Sequence, residues 1–323
     1  MKYIDMHCDT LSRAYFDGNN DIYKLDKTSL DINRLKKVNS MAQFFAIYLV
    51  PDDEKEGISD EEYILSLLNI FNNTVKNHSD ILSVAYSFND IIKNEKQNKI
   101  SAILTIEDGR CIDGKLENIK RYYDLGIRLI SLTWNNKNCF GSPNSDDINI
   151  MKCGLTYFGK EAVQYMNDLG MIIDVSHLSD GGFYDVANLS KKPFVASHSN
   201  SRSITNHSRN LTDDMITIIA NKGGVIGINF CPKFLDNREL NDENKESKIQ
   251  YMIEHIEHII NVGGEDCVCI GTDFDGIHGN LEIDSVSKMP LLFEKMNAYG
   301  FKYDFIEKFA YKNAYRTIKD IIG

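Results

Sequence analysis

Eight short runs of apolar and β-branched residues, set apart by turns, recur along this 323-residue chain. They are Tyr3–His7, Gln43–Leu49, Ser101–Ile106, Arg128–Thr133, Met171–Val175, Phe194–Ser197, Val225–Phe230 and Val268–Gly271. Nearly uninterrupted apolar strands suit a parallel sheet buried on both faces. Parallel neighbours need crossover connections, and stretches of helical period supply them: Glu61–Val75, with Tyr63, Leu67, Leu68 and Phe71 on one stripe, Phe158–Leu169 and Asp213–Asn221. Thr212 before Asp213 and Asp214 marks a helix start, and Gly170 and Gly223-Gly224 mark handovers from helix to strand. A doubly wound open sheet shares this alternation, but eight is the strand number that closes. The sequence therefore predicts an α/β fold, a (β/α)8 TIM barrel with a C-terminal helical extension.

No Pro/Gly/Ser-rich linker divides the chain and proline totals 5, so residues 1–323 read as one domain, with Asn237–Lys248 as a solvated loop leading into a helix. The balance of 36 Lys+Arg against 47 Asp+Glu leaves −11, which argues against nucleic-acid partners because phosphate contacts need a basic face. The start MKYIDMHCDT carries Lys2, Asp5 and Asp9 and so lacks the apolar core of a secretory signal. No stretch is long and apolar enough to span a bilayer. The expectation is a cytoplasmic protein without a membrane partner. Seven scattered cysteines fit reduced thiols, with Cys267 and Cys269 packing in a strand.

The residues with ligand chemistry fall at the C-terminal ends of the runs, the end where barrel enzymes keep their active sites. His7 and Asp9 end the first run and, two apart in extended backbone, project to one side. Glu107 ends the third in ILTIEDG, His177 follows the fifth in IIDVSH, His198 follows the sixth in FVASH, and Asp273 ends the eighth in CIGTDFDG. Each alone reads as a cap or a hydrogen-bonding residue, but together the His7-x-Asp9 pair, Glu107, His177 and His198 form a nitrogen and oxygen donor set suited to zinc or a neighbouring metal. Five donors suit two metals better than one, with Glu107 bridging. The other histidines are set aside: His255 and His258 as a solvated helix face, His78 as a polar helix end. His207 and His278 lie in rim loops within reach of a substrate.

In order along the chain stand DMHCDT, MAQFFAIY, TIEDG, GLTYFG with MNDLGMIIDVSHLS, ASHSNSR, SRNLTDD, GVIGINF, IGTDFDG and Asn313-x-x-Arg316. This series resembles the renal (membrane) dipeptidase family of dinuclear zinc peptidases within the amidohydrolase superfamily. The resemblance implies His7 and Asp9 on one zinc, His177 and His198 on the other, and Glu107 on both, with manganese or cobalt as compatible substitutes. It also implies a dipeptide substrate with an L- or D-residue at its C-terminus, attacked by a metal-bridging hydroxide, with Asp273 as acid/base. Arg209 in SRNLTDD would clamp the free carboxylate, which a guanidinium grips bidentately; a surface pair with Asp213 or Asp214 is the plainer reading. A homodimer is the assembly the family suggests.

One position departs from the animal pattern: Trp134 in SLTWNNKN stands where those members have a substrate-supporting His. An indole donates one hydrogen bond but carries no positive charge. Trp134 lines the pocket on this reading, with Asn135 as a substitute donor. Two other readings remain open on sequence alone, an amidohydrolase for N-acyl amino acids or cyclic amides and a catalytically idle metal-binding homologue.

Overall fold

The computed structural model describes residues 1–55 and 57–323. Its strands are β1 (Tyr3–Asp5), β2 (Ser40–Tyr48), β3 (Leu82–Val84), β4 (Ile100–Glu107), β5 (Ile127–Ser131), β6 (Ile172–Asp174), β7 (Val195–Ala196), β8 (Val225–Ile228), β9 (Glu246–Ser247), β10 (Val268–Ile270) and β11 (Asn280–Leu281). Parallel pairing runs β2-β1-β10-β8-β7-β6-β5-β4, and β4 returns to β2 through Ala42↔Ser101 to Tyr48↔Glu107. The sheet is thus a closed eight-stranded barrel with helices around it, as the eight runs predict. Each observed strand overlaps its run.

β3 is an addition that the sequence reading lacks. It pairs with the start of β4 at Leu82↔Ile100, on the side where β5 joins only from Leu104 onward. With three residues it is too short to carry its own periodic signal. The Asn237–Lys248 segment is mostly exposed, yet its end forms β9, paired with β11.

The crossover helices form where local signals and burial agree. Asp60–Asn77 starts on a capping box between Ser59 and Glu62 and buries Tyr63, Leu67 and Phe71. Asp213–Asn221 starts on the Thr212 cap, and Tyr157–Leu169 ends on Gly170 in the left-handed region. Helices at Met289–Tyr299, Tyr303–Glu307 and Asn313–Ile322 complete the C-terminal extension. Asn313 ties it to the barrel floor by donating to the carbonyls of Glu265 and Val268. Cys267 and Cys269 are buried at β10, and all seven cysteines are free. Among the described residues no helix is long and apolar enough to cross a membrane.

His255 overturns its expected place. It lies on the helix Ile249–Gly263, but on the buried stripe rather than the solvated face, and has no exposed surface. Its Nδ1 accepts the amide of Ser201 at 3.0 Å, and Nε2 lies 3.2 Å from the Leu235 carbonyl. A helix of this period turns positions 252, 253, 256 and 259 inward, and 255 falls within that arc. His258 is half-buried and bonds Asp213 at 2.7 Å, and His78 caps its helix beside Asp21.

Candidate metal centre

Every strand-end donor lies at or just past the last paired residue of its strand, so barrel closure brings them together. Glu107 ends β4 and is buried. Its Oε2 lies 3.3 Å from His7 Nε2, and its Oε1 lies 2.9 Å from His177 Nε2 and 3.5 Å from His198 Nε2. One oxygen thus faces each group of ligands. His7 Nε2 is also 3.4 Å from Asp9 Oδ2, and the two Nε2 atoms of His177 and His198 approach to 3.0 Å.

Three overlapping clusters emerge: His7 with Asp9 and Glu107, Glu107 with His177 and His198, and His7 with His198 and Asp273. Several donors in them are buried and without hydrogen-bond partners: both ring nitrogens of His7, Asp9 Oδ1 and His177 Nδ1. Orphaned buried polar atoms are rare in folded proteins, and a cluster of them suits a bound ion. Burial, together with the Arg209 charge, lowers His177 to about 4, and burial with the His7 charge lowers His198 to about 3. Both imidazoles are therefore neutral near pH 7 and present lone pairs, as metal ligands must. Burial lifts Asp9 to about 8 and Asp273 to about 6. Despite its burial, Glu107 is held well below the usual carboxylate range by the His7 charge and by bonds from His177 and His198, whereas Asp9 and Asp273, crowded against it, resist ionisation until cations join them. The donor set fits divalent metal.

Asp273 has φ +61, in the left-handed region, and accepts the Asn229 amide on Oδ2 at 2.8 Å. Asp275, two residues on, accepts from Thr10 Oγ1 and the Ser29 amide, both at 2.6 Å, so it is the residue that ties loops together. Arg209 is buried beside the histidine pair. Its Nη1 donates to the Ser176 carbonyl, and its Nη2 lies 3.0 Å from His177 Nε2 and 3.3 Å from the His198 carbonyl. None of these partners is a carboxylate. Asp213 instead meets Ser203 and His258, and Asp214 meets Tyr184, so neither forms the alternative surface pair with Arg209.

A cleft of about 520 Å³ opens over the centre and includes Asp9, Glu107, His177, Arg209 and Asp273. Trp134 and Asn135 line it, as do His207 and His278. Trp134 meets Tyr48 edge-on, with ring centres 5.0 Å apart, and its ring lies 6.4 Å from that of His177.

The profile of the membrane dipeptidases (peptidase family M19) matches residues 1–322. The chain belongs to the membrane dipeptidase family. A Klebsiella pneumoniae protein from the pqqA 5′ region, itself uncharacterised, is 33% identical over 246 residues, 74% of this chain and 89% of its own length. The structure of dipeptidase AC, a metallopeptidase of family M19, superposes with TM-score 0.89 at 27% identity, covering 100% of this chain and 99% of that one. A Rhodobacter sphaeroides metallopeptidase liganded with a phosphinate mimic of the dipeptide L-Ala-D-Ala also gives TM-score 0.89, at 26% identity and 99% coverage of both chains. Membership makes this chain an enzyme of metallo-dipeptidase type within the amidohydrolase fold, and it implies a bound metal, typically zinc, and a dipeptide substrate.

Three contributors to this site are not among the residues that the sequence singles out. Asn229 reaches Asp273 from the end of β8, and Tyr48 reaches Trp134 from the end of β2. Gly276 is the third: a Cβ there would stand 2.1 Å from Asp9 Oδ2 and 2.6 Å from Asp273 Oδ1. The motifs GVIGINF, MAQFFAIY and IGTDFDG contain all three, but no spacing rule singles them out.

Proposed function

We propose that this enzyme cleaves dipeptides bearing a free C-terminal carboxylate, with an L- or D-residue at that end. It would use two zinc ions held by His7, Asp9, Glu107, His177 and His198, for which manganese or cobalt can substitute. The observation that carries the reading is the buried Arg209 guanidinium, set beside the histidine pair with no carboxylate of its own. A charge held there suits a carboxylate one short residue away from the scissile bond.

When bound, the metals would lower the pKa of water and polarise the scissile carbonyl. The chain's own residues do the rest. Arg209 fixes the carboxylate end, and a substrate held at one end presents its peptide bond in a defined place. Asp273, oriented by Asn229, takes a proton from the attacking water and hands it to the leaving amine. Its raised pKa, about 6, places both protonation states within reach near neutral pH. Trp134 and Tyr48 wall the cleft and Asn135 offers an amide donor at its edge.

The test is a panel of L,L and L,D dipeptides beside their C-terminal amides, with metal-depleted enzyme as control. A charge-assisted hydrogen-bonded pair contributes about 1.5–3 kcal/mol, so amides should lose about 10- to 100-fold in kcat/KM. Arg209→Met should raise KM for free acids by a similar factor and change the amides little. An unchanged KM, with two metals still bound, overturns the assignment.

A further inference from the structure

Beneath the donor set lies a carboxylate that the proposed reaction does not use. Asp174 is the last residue of β6, wholly buried, and three positions before His177. It accepts five hydrogen bonds, from the amides of Ser176 (3.1 Å) and Ser197 (2.8 Å) and from the hydroxyls of Ser131 (2.5 Å), Ser176 (2.6 Å) and Ser197 (2.7 Å). None of these five partners is a cation.

The arrangement dictates where the protons point. A carboxylate accepts and cannot donate, so each serine directs its hydroxyl hydrogen at Asp174. Ser197 Oγ then offers only lone pairs to its other neighbours, Ser176 Oγ at 3.2 Å, whose own hydrogen is likewise on Asp174, and His198 Nδ1 at 2.7 Å. Nδ1 must therefore carry the hydrogen, which leaves Nε2 bare. Nε2 is the nitrogen that faces His177 and Glu107. Ser176 Oγ, its own hydrogen committed, accepts the His198 amide at 3.1 Å and fixes the backbone as well. Neither His7 nor His177 has a hydrogen-bond partner on Nδ1.

We propose that Asp174, through Ser197, is a positioning device that holds His198 in the Nδ1–H tautomer and keeps Nε2 open to a metal. Its role for a metal rests on the reading that His177 and His198 share one ion, whereas the tautomer itself does not. The consequence is an asymmetry: the site on the His177 side depends on the serine cage and the site on the His7 side does not.

Graded chelator competition on the zinc-loaded enzyme, with zinc counted at each step, tests this. Partners of this kind typically contribute 10- to 100-fold in metal affinity. Ser197→Ala should release one equivalent at 10- to 100-fold weaker chelation while the other equivalent is unchanged, and Ser197→Thr, which restores a hydroxyl, should recover most of the loss. Ser131→Ala removes a bond to the same carboxylate but touches no ligand, so it should match the wild type. The idea is overturned if Ser197→Ala keeps both equivalents at wild-type affinity, or if Ser131→Ala loses as much. A wild type that binds no zinc would instead overturn the metal reading. The tautomer is checked separately by 15N spectra of histidine-labelled, metal-depleted full-length protein, which also covers the case of an unfolded variant. A hydrogen on His198 Nδ1 is expected, and one on Nε2 refutes the proposal.

Discussion

His255 offers a sharp test of how the Arg209 loop is held. It is buried, neutral, and bonded through Nδ1 to the Ser201 amide, at the start of the loop that leads to Arg209. Burial lowers its pKa from 6.5 to about 4, and the nearby His258 adds to the effect. The unfolded chain therefore binds this proton more readily, so the contribution to stability is complete above about pH 6.5 and is lost as pH falls toward 4. At 1.36 kcal/mol per unit, a gap of about 2.5 units corresponds to about 3 kcal/mol. Replacing His255 by Leu removes that titration and leaves the Ser201 amide unpaired, which costs about 1–3 kcal/mol at neutral pH. Urea unfolding of both zinc-loaded proteins should then show the wild type ahead at pH 7.5, with the two curves meeting or crossing near pH 4. Acid effects on the metal ligands are common to both and cancel in the difference. A stability gap that stays constant from pH 7.5 to 4 would refute the reasoning. The same variant should raise KM for dipeptides more than it lowers kcat, because the displaced loop carries Arg209, the proposed carboxylate clamp.

Three further outcomes follow from the site. Gly276→Ala puts a methyl against the Asp9 and Asp273 carboxylates, so metal on the His7 side and at least about 100-fold of kcat should be lost while the melting temperature changes little; metal counting and steady-state rates check this. Asp273→Asn should retain the metals but lose about 10²- to 10⁴-fold in kcat, since an amide cannot shuttle the proton, and full activity in a metal-replete variant would remove Asp273 from the mechanism. Metal loading at pH 7 should release protons, because Asp9 at about 8 must give up its hydrogen to bind; calorimetry in buffers of differing ionisation enthalpy measures the number, and zero release contradicts the assignment.

What the sequence made legible follows from where each signal resides. The barrel strands are local runs, and a donor one or two residues past a run inherits its position from that strand alone. His7, Glu107, His177, His198 and Asp273 are therefore placed at one rim by the sequence alone. His255 failed that logic because its environment is set by Ser201 and Leu235, 54 and 20 residues away, and helical period gives an arc rather than a residue. Gly276 and Asn229 were hidden for a related reason. Gly276 matters through Asp9 after β1, and Asn229 through Asp273 after β10, and no spacing within one segment encodes either distance.

The polar floor of the site explains why such a charged rim can be held in place. Asp5, on β1 below His7, accepts from the Thr272 amide (2.9 Å) and hydroxyl (2.7 Å), from Gln43 (3.1 Å) and from the His7 amide (3.3 Å). Asp174 plays the matching part below His177 and His198. Each carboxylate joins neighbouring strands at the depth where the backbone leaves the sheet, so the loop that follows starts from a fixed point. Apolar residues at these positions would pack, but they would supply no directional bond to orient the next residue. Fully satisfied networks of this kind rigidify their surroundings. The acids that contribute to the net charge of −11 thus include two tiers: a buried lower one held by hydroxyls and amides, and an upper one, Asp9, Glu107 and Asp273, that faces the cleft.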